Sequence, residues 1–404
     1  MGEEPIRELS GGINQSGVRA FNERLLISLL QRNGALPGSD MARRTGLSPQ
    51  TVSVILRKLE TDGLLRRGTP VKGRVGKPSV PVDLDPNGLF SIGLKIGRRS
   101  ADLLVMDFRG GIRDQKRLTY RYPMPDAVFG FLRAGLGDLV QRLSPDQRAR
   151  ICGIGVAAPS ELWNWHDLVG APEQEFRAWA ATDIRAEAAR FTDLPVFVVN
   201  DATAACRAEH MFGGGKRFRD YAYFFVGAFV GGGIVLNHAV VEGHQGNAGA
   251  LGSLPVERGQ LIDVASIHLL ESRLRDKDAD PAMLWHLPQD WSGLSAEVDP
   301  WIDDTARHLA RASLAACSVI DFEAVVIDGA MPPQVRARLV EQTRGYLAQG
   351  DLRGLIPPRI EAGQVGANAR AIGAAAGPVI AQVLMDPGAG LLDGERAGLA
   401  RADG

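Results

Sequence analysis

From Phe90 onward the chain repeats one pattern: a short β-favouring run, often ending in Gly or Asp, and then a stretch with helical spacing. The runs occupy 91–97, 100–108, 151–159, 194–201, 221–228 and 324–330, and helical stretches occupy 176–191, 202–211 and 301–317. Strands that alternate with helices bury their apolar faces against one another only in a layered α/β body, so that fold class is expected here. A length of 404 residues exceeds what one ordinary core serves, which predicts two or three domains. Two lobes built from duplicated halves fit such a body, although no short solenoid repeat is visible.

The first 85 residues read differently. Phe21, Leu25, Leu26, Leu29 and Leu30 recur at helical spacing, and Gly34 with Pro37-Gly38 closes that helix. A short second helix is expected over 39–45, broken by Gly46. Ser48 then caps a third, with Pro49 at its first position, where a missing N–H costs nothing. Val52, Ile55, Leu56 and Leu59 form its inward stripe, while Gln50, Ser53 and Arg57 line the opposite side, flanked by Thr51 and Lys58. Those short or forked hydrogen-bonding groups suit base edges in a major groove, and a helix-turn-helix presents such turns to DNA. The alternative is a helix-turn-helix that makes protein contacts.

Residues 64–86 have β-favouring ends around a Gly-rich basic centre, Gly73-Arg74-Val75-Gly76-Lys77-Pro78, which predicts a hairpin with Arg74 and Lys77 near its tip. The segment 83–88 reads as a linker. Net charge is −1 overall, yet 17–80 carries twelve Lys and Arg against four Asp and Glu, so a basic head precedes an acidic body. That asymmetry suits a polyanionic partner or, more blandly, a solvated face. No stretch approaches the ~20 apolar residues of a membrane span. The first residues lack a signal pattern and the three cysteines are scattered, so a reducing cytoplasm is the expected compartment, with no membrane contact.

Taken together, the string 42–65 and then Ile151-Cys-Gly-Ile-Gly-Val-Ala-Ala-Pro, Val196-Phe-Val-Val-Asn-Asp-Ala-Thr-Ala-Ala, Val226-Gly-Ala-Phe-Val-Gly-Gly-Gly-Ile-Val and Gly246-Asn-Ala-Gly-Ala-Leu-Gly-Ser resemble the ROK family (repressors, open reading frames and kinases). The resemblance covers nearly the whole chain. It implies a winged helix-turn-helix over 1–85 joined to a two-lobed actin/hexokinase-like domain over 86–404, with the lobes meeting near residue 200.

The departures from the family's pattern bear on chemistry. Where its kinases place an Asp in a D-x-G-G-T turn that serves Mg²⁺ and ATP phosphates, this chain has Lys95-Ile96-Gly97-Arg98-Arg99, which offers no oxygen ligand to a hard cation. The second phosphate loop, G-T-G-x-G-G-G in the family, is Gly227-Ala228-Phe229-Val230-Gly231-Gly232-Gly233, and a ring at Phe229 obstructs close approach. Ala250 and Ser253 stand where the resemblance implies a sugar-binding Glu and a zinc-ligating His, and the segment that follows holds no cysteine. No catalytic residue, metal or cofactor is therefore expected.

Asn200-Asp201 survives. The resemblance makes Asp201 a sugar contact, and Asn200 is either a sugar contact or the cap of the next helix. Asn200, Asp201, Asn247 and Gly232 are thus the candidate ligand residues. Glu161, His166, Gln245, Trp163 and Trp165 are further candidates, the tryptophans serving either a sugar face or packing. The expected partners are a double-stranded DNA operator and a sugar or sugar-phosphate effector, the chain acting as a homodimer or dimer of dimers. An active sugar kinase with a regulatory head, and a body that binds protein in place of a metabolite, are the competing readings.

Overall fold

The computed structural model describes residues 15–70, 80–160, 162–166, 170–286 and 288–385. Arg74, Lys77 and Glu161 lie outside these. The chain divides into two compact units: 90–378 forms one, and residues up to 89 with those from 379 onward form the other.

In the smaller unit, α1 (Gln15–Asn33), α2 (Gly38–Thr45) and α3 (Pro49–Thr61) surround a core of Leu26, Leu30, Met41, Val52, Leu56 and Leu59. Each of these side chains contributes about 1.5–3 kcal/mol by leaving water. Gly46, at φ 72°, ends α2 in the left-handed conformation, its N–H returning to Ala42 O at 3.0 Å. Ser48 Oγ accepts from Thr51 N at 3.0 Å and starts α3. The strands β1 (Leu36–Pro37), β2 (Leu65–Arg67) and β3 (Pro81–Leu84) make an antiparallel sheet in the order β1-β3-β2. Asp83 and Leu84, expected in a linker, are instead the end of β3, paired with Arg66 and Leu65. The C-terminal stretch also joins this unit, with Met385 N donating to Ser28 Oγ at 2.8 Å.

The larger unit is built from two five-stranded sheets of identical topology. One runs β6-β5-β4-β7-β8, from β4 (Phe90–Ile96), β5 (Ser100–Asp107), β6 (Ile112–Thr119), β7 (Ile151–Ala158) and β8 (Val196–Asn200). Its counterpart runs β11-β10-β9-β12-β13, from β9 (Tyr221–Val226), β10 (Val230–Leu236), β11 (Ala239–Val241), β12 (Ala324–Gly329) and β13 (Arg359–Ala362). In each, an antiparallel meander of three strands is extended by two parallel ones. The duplication that the sequence leaves open is thus plain in the topology. The helices α4 (Pro125–Gln141), α5 (Asp201–Phe212), α6 (Ile267–Arg275), α7 (Ser295–Val319), α8 (Pro333–Ala348) and α9 (Ala369–Val383) supply the crossovers and covering layers. The stretch 176–191, read as one helix, is broken into short pieces around Phe176 and Trp179, both buried.

Small residues let α9 lie close to the rest. A Cβ on Gly155 would sit 1.7 Å from Ala374 O, and one on Gly373 1.7 Å from Ala204 O. The glycine run in β10 does similar work: a Cβ on Gly233 would meet Cys206 at 2.5 Å, and one on Gly232 would meet Leu251 at 2.7 Å. Gly232, a candidate ligand residue, thus also lets the strand pack closely on Leu251.

Candidate nucleic-acid interface and lobe seam

On α3 the buried residues are Val52, Ile55, Leu56 and Leu59, which fixes the outward face. Gln50, Ser53 and Arg57 are all exposed on it, and among the described residues Arg57 Nη2 donates to a neutral partner, Ser53 Oγ, at 3.3 Å. Val54 stands among them, half exposed. An aliphatic group there can meet a thymine methyl; an apolar residue on an otherwise polar face was the overlooked signal.

Ser48 and Thr51 share a hydroxyl contact of 2.8 Å at the start of the helix. Lys58 is engaged elsewhere: its Nζ donates to Glu23 at 2.9 Å and Asp62 at 3.0 Å. The hydrogen bond to Glu23 is the main reason its ammonium lies above the ordinary lysine range; burial opposes it and Asp62 adds to it. Lys58 thereby ties α3 to α1.

In the larger unit, the turns that join the first two strands of each half, 97–99 and 227–229, occupy equivalent places in the duplication. They meet. The Arg98 guanidinium lies 4.7 Å from the centroid of the Phe229 ring, and Trp165 and His268 pack on that ring at 5.0 and 5.2 Å. Arg99 forks onto Glu271 of α6, at 3.2 Å from Nε to Oε1 and 2.7 Å from Nη2 to Oε2. Glu271 is fully buried, and Trp285 Nε1 also donates to it at 2.9 Å.

Deeper in, Lys95 Nζ donates to Asp102 at 2.8 Å and to Ser100 at 2.9 Å, and Arg117 Nε also donates to Asp102. Burial pulls the Lys95 ammonium down to about 8, opposed by Asp102 and reinforced by Arg370. Burial works against the Asp102 carboxylate, yet Lys95 and Arg117 outweigh it and hold its pKa at about 2.

The candidate ligand residues separate into three kinds. Asn200 caps α5, its Oδ1 accepting from Ala202 N at 2.9 Å and Thr203 N at 3.2 Å, while its Nδ2 donates to Ser160. Asp201 accepts from Arg370 Nη1 of α9 at 3.1 Å, which joins equivalent helices of the two halves. Asn247 is exposed in the loop after β11, as is Gln245. Trp165 packs against Phe229, Trp163 stays 40% exposed, and His166 lies 3.9 Å from Glu173. Among the described residues no three His, Cys, Asp or Glu side chains gather as a metal-binding group, and no helix is long and apolar enough to cross a membrane. Arg370 and Glu271, which organise the seam, went unread because each acts on a partner more than 165 positions away.

A capped recognition helix with a β-wing, ahead of twin sheets with mirrored turns, is the architecture of a winged helix-turn-helix set before a sugar-kinase-like domain. Residues 22–66 match the winged helix-turn-helix DNA-binding family and residues 91–266 the ROK family. The chain thus carries a ROK family domain over 91–266, behind a winged helix-turn-helix over 22–66. It is 28% identical to the uncharacterized protein y4fQ of Sinorhizobium fredii, over 89% of this chain and 91% of that one. Identity to the DNA-binding transcriptional dual regulator NagC of Escherichia coli is 22%, over 79% and 84% of the two chains. With the xylose repressor of Bacillus spizizenii it is also 22%, the match spanning 60% of this chain and 62% of the repressor. Among solved structures, a ROK family transcriptional regulator described as a homolog of the E. coli MLC protein superposes with a TM-score of 0.63 at 19% identity, covering 89% of this chain and 95% of that one. A ROK family glucokinase from Streptomyces griseus, solved with glucose and AMPPNP, gives 0.54 at 19% identity over 71% and 98%.

Proposed function

We propose that this chain is a sequence-specific transcription repressor of carbohydrate uptake or metabolism genes, whose kinase-like body senses a small molecule and transfers no phosphoryl group. The observation that carries the reading is an outward recognition face, Gln50, Ser53 and Arg57, on a chain whose phosphate turns are occupied by Arg98 and Phe229. The repressor names of the relatives support the regulatory half. The ion pair between Asp201 and Arg370 supports the non-catalytic half, because a carboxylate engaged by a guanidinium is already occupied and not turned toward a sugar hydroxyl. The head binds double-stranded DNA, and a homodimer matches a two-fold operator, since one head makes few contacts. A sugar or sugar phosphate at the seam shifts the relative population of two closures of the halves.

Fluorescence anisotropy with fragments of the DNA upstream of its own gene and of neighbouring sugar genes tests this. Some fragment binds about a thousandfold more tightly than random DNA at physiological salt; uniform affinity for all fragments would refute it. ATP turnover with any hexose, abolished in Asp201→Asn, would instead establish the kinase reading.

A further inference from the structure

We infer that the Arg98 corner of the seam is an anion site, and that the effector carries a phosphate dianion which docks there. This deepens the effector reading above and rests on it for regulation, though not for binding.

Two independent observations lead to it. The Arg98 side chain is only 9% exposed, yet its Nε and Nη1 donors have no hydrogen-bond partner among the described residues. Its remaining nitrogen, Nη2, stands 3.9 Å from Glu271, beyond hydrogen-bond reach. Buried guanidinium donors left unmade are costly, and they persist where a ligand completes them. Beside them, His268 Nδ1 is likewise buried without a partner among the described residues, on the same Phe229 ring that Arg98 covers.

The charge count is the second. Arg98, Arg99 and Arg275 all converge on Oε2 of Glu271, at 3.9, 2.7 and 3.3 Å. Arg99 neutralises that carboxylate through its fork, which leaves two positive charges over, the buried Arg98 and the solvent-facing Arg275. A phosphate monoester, carrying about −1.5 to −2 at neutral pH, balances that surplus and offers several acceptors at once. A neutral sugar hydroxyl balances nothing. A carboxylate, with a single charge, would leave one guanidinium over. The same turn that no longer offers an oxygen to Mg²⁺ thus supplies the positive charge itself.

The test uses the full chain without DNA, titrated calorimetrically with inorganic phosphate, glucose 6-phosphate, glucose and glucuronate at matched ionic strength. Saturable binding of inorganic phosphate and of glucose 6-phosphate, in competition with each other, is expected. Arg98→Met, which keeps the stem over Phe229, weakens phosphate binding by about tenfold or more, and Arg98→Lys by less. If Arg98→Met fails to fold, Arg98→Lys decides: unchanged phosphate affinity overturns the site. So does the absence of saturable phosphate binding in the wild type, or a preference for glucuronate over both phosphates. Because DNA is absent, failure here leaves the repressor reading to its own anisotropy assay, and failure there leaves this site standing.

Discussion

Arg370 Nη1 donates to Asp201 Oδ2 across 3.1 Å, and this contact joins the first turns of two helices that are topological equivalents in the duplicated body. The Arg370 guanidinium also lies 4.9 Å from the centroid of the Phe225 ring, so it is held on two sides. Both side chains are mostly buried, at 11% and 18% exposure, which puts the pair between the strong interior case and the weak surface one.

A double-mutant cycle with Arg370→Met and Asp201→Asn should therefore return a coupling of about 1–2 kcal/mol by urea unfolding. A coupling indistinguishable from zero would mean that the contact is incidental.

Asp102 supplies a pH signature. Its folded pKa, about 2, lies below the ordinary carboxylate value of 3.8. A depressed acid pKa contributes stability that is fully present above the unfolded value and is lost as pH falls through the folded one. Wild type should thus exceed Asp102→Asn by about 2 kcal/mol or more at pH 6, and the gap should narrow between pH 4 and pH 2. A gap that stays constant across that window contradicts the assignment.

On the recognition helix, Gln50→Ala and Arg57→Ala should each relax discrimination at one base pair by about 1–3 kcal/mol. Val54→Ser should lower preference for a T·A pair at a neighbouring position. Lys58→Ala should behave otherwise, loosening the head by a few tenths of a kcal/mol, since its pairs are partly exposed. Operator selection on randomised sites, compared with the salt slope of each variant, separates the two behaviours.

Gly155→Ala places a Cβ against the Ala374 carbonyl, a backbone atom that cannot swing aside. The cost should be about 3 kcal/mol, the upper end for overpacking. Loss of less than 1 kcal/mol in thermal unfolding would show that α9 is free to retreat.

The head was legible because its rules are local. Ser48, Pro49, Gly46 and the stripe from Val52 to Leu59 act within a few residues of one another, and α2 and α3 lie within a residue or so of where spacing and caps predict them. The body was most legible where a strand is buried on both faces, as β4, β7 and β9 are, although the less buried β8 was read as well. The strand β6, with sequence IRDQKRLT, is missing from the β-favouring runs because most of its residues are charged or polar. Its charges are satisfied by Asp107, Asp138, Arg142 and Asp102 on neighbouring elements, which sequence spacing does not reveal. The seam was unreadable for a related reason. A phosphate cradle and a packing glycine look alike in a sequence, and Gly232 is distinguished only by Leu251 beside it.

The meeting of Arg98 with Phe229 also constrains which substitutions the seam accepts. A small residue at 229 would strip Arg98 of the ring it rests on, while one at 98 would uncover that ring. Either step alone is expected to lower stability, so the two positions are coupled. Two turns that lean on each other in this way work as a latch between the halves, and substitutions at 98 and 229 are tolerated together more readily than singly.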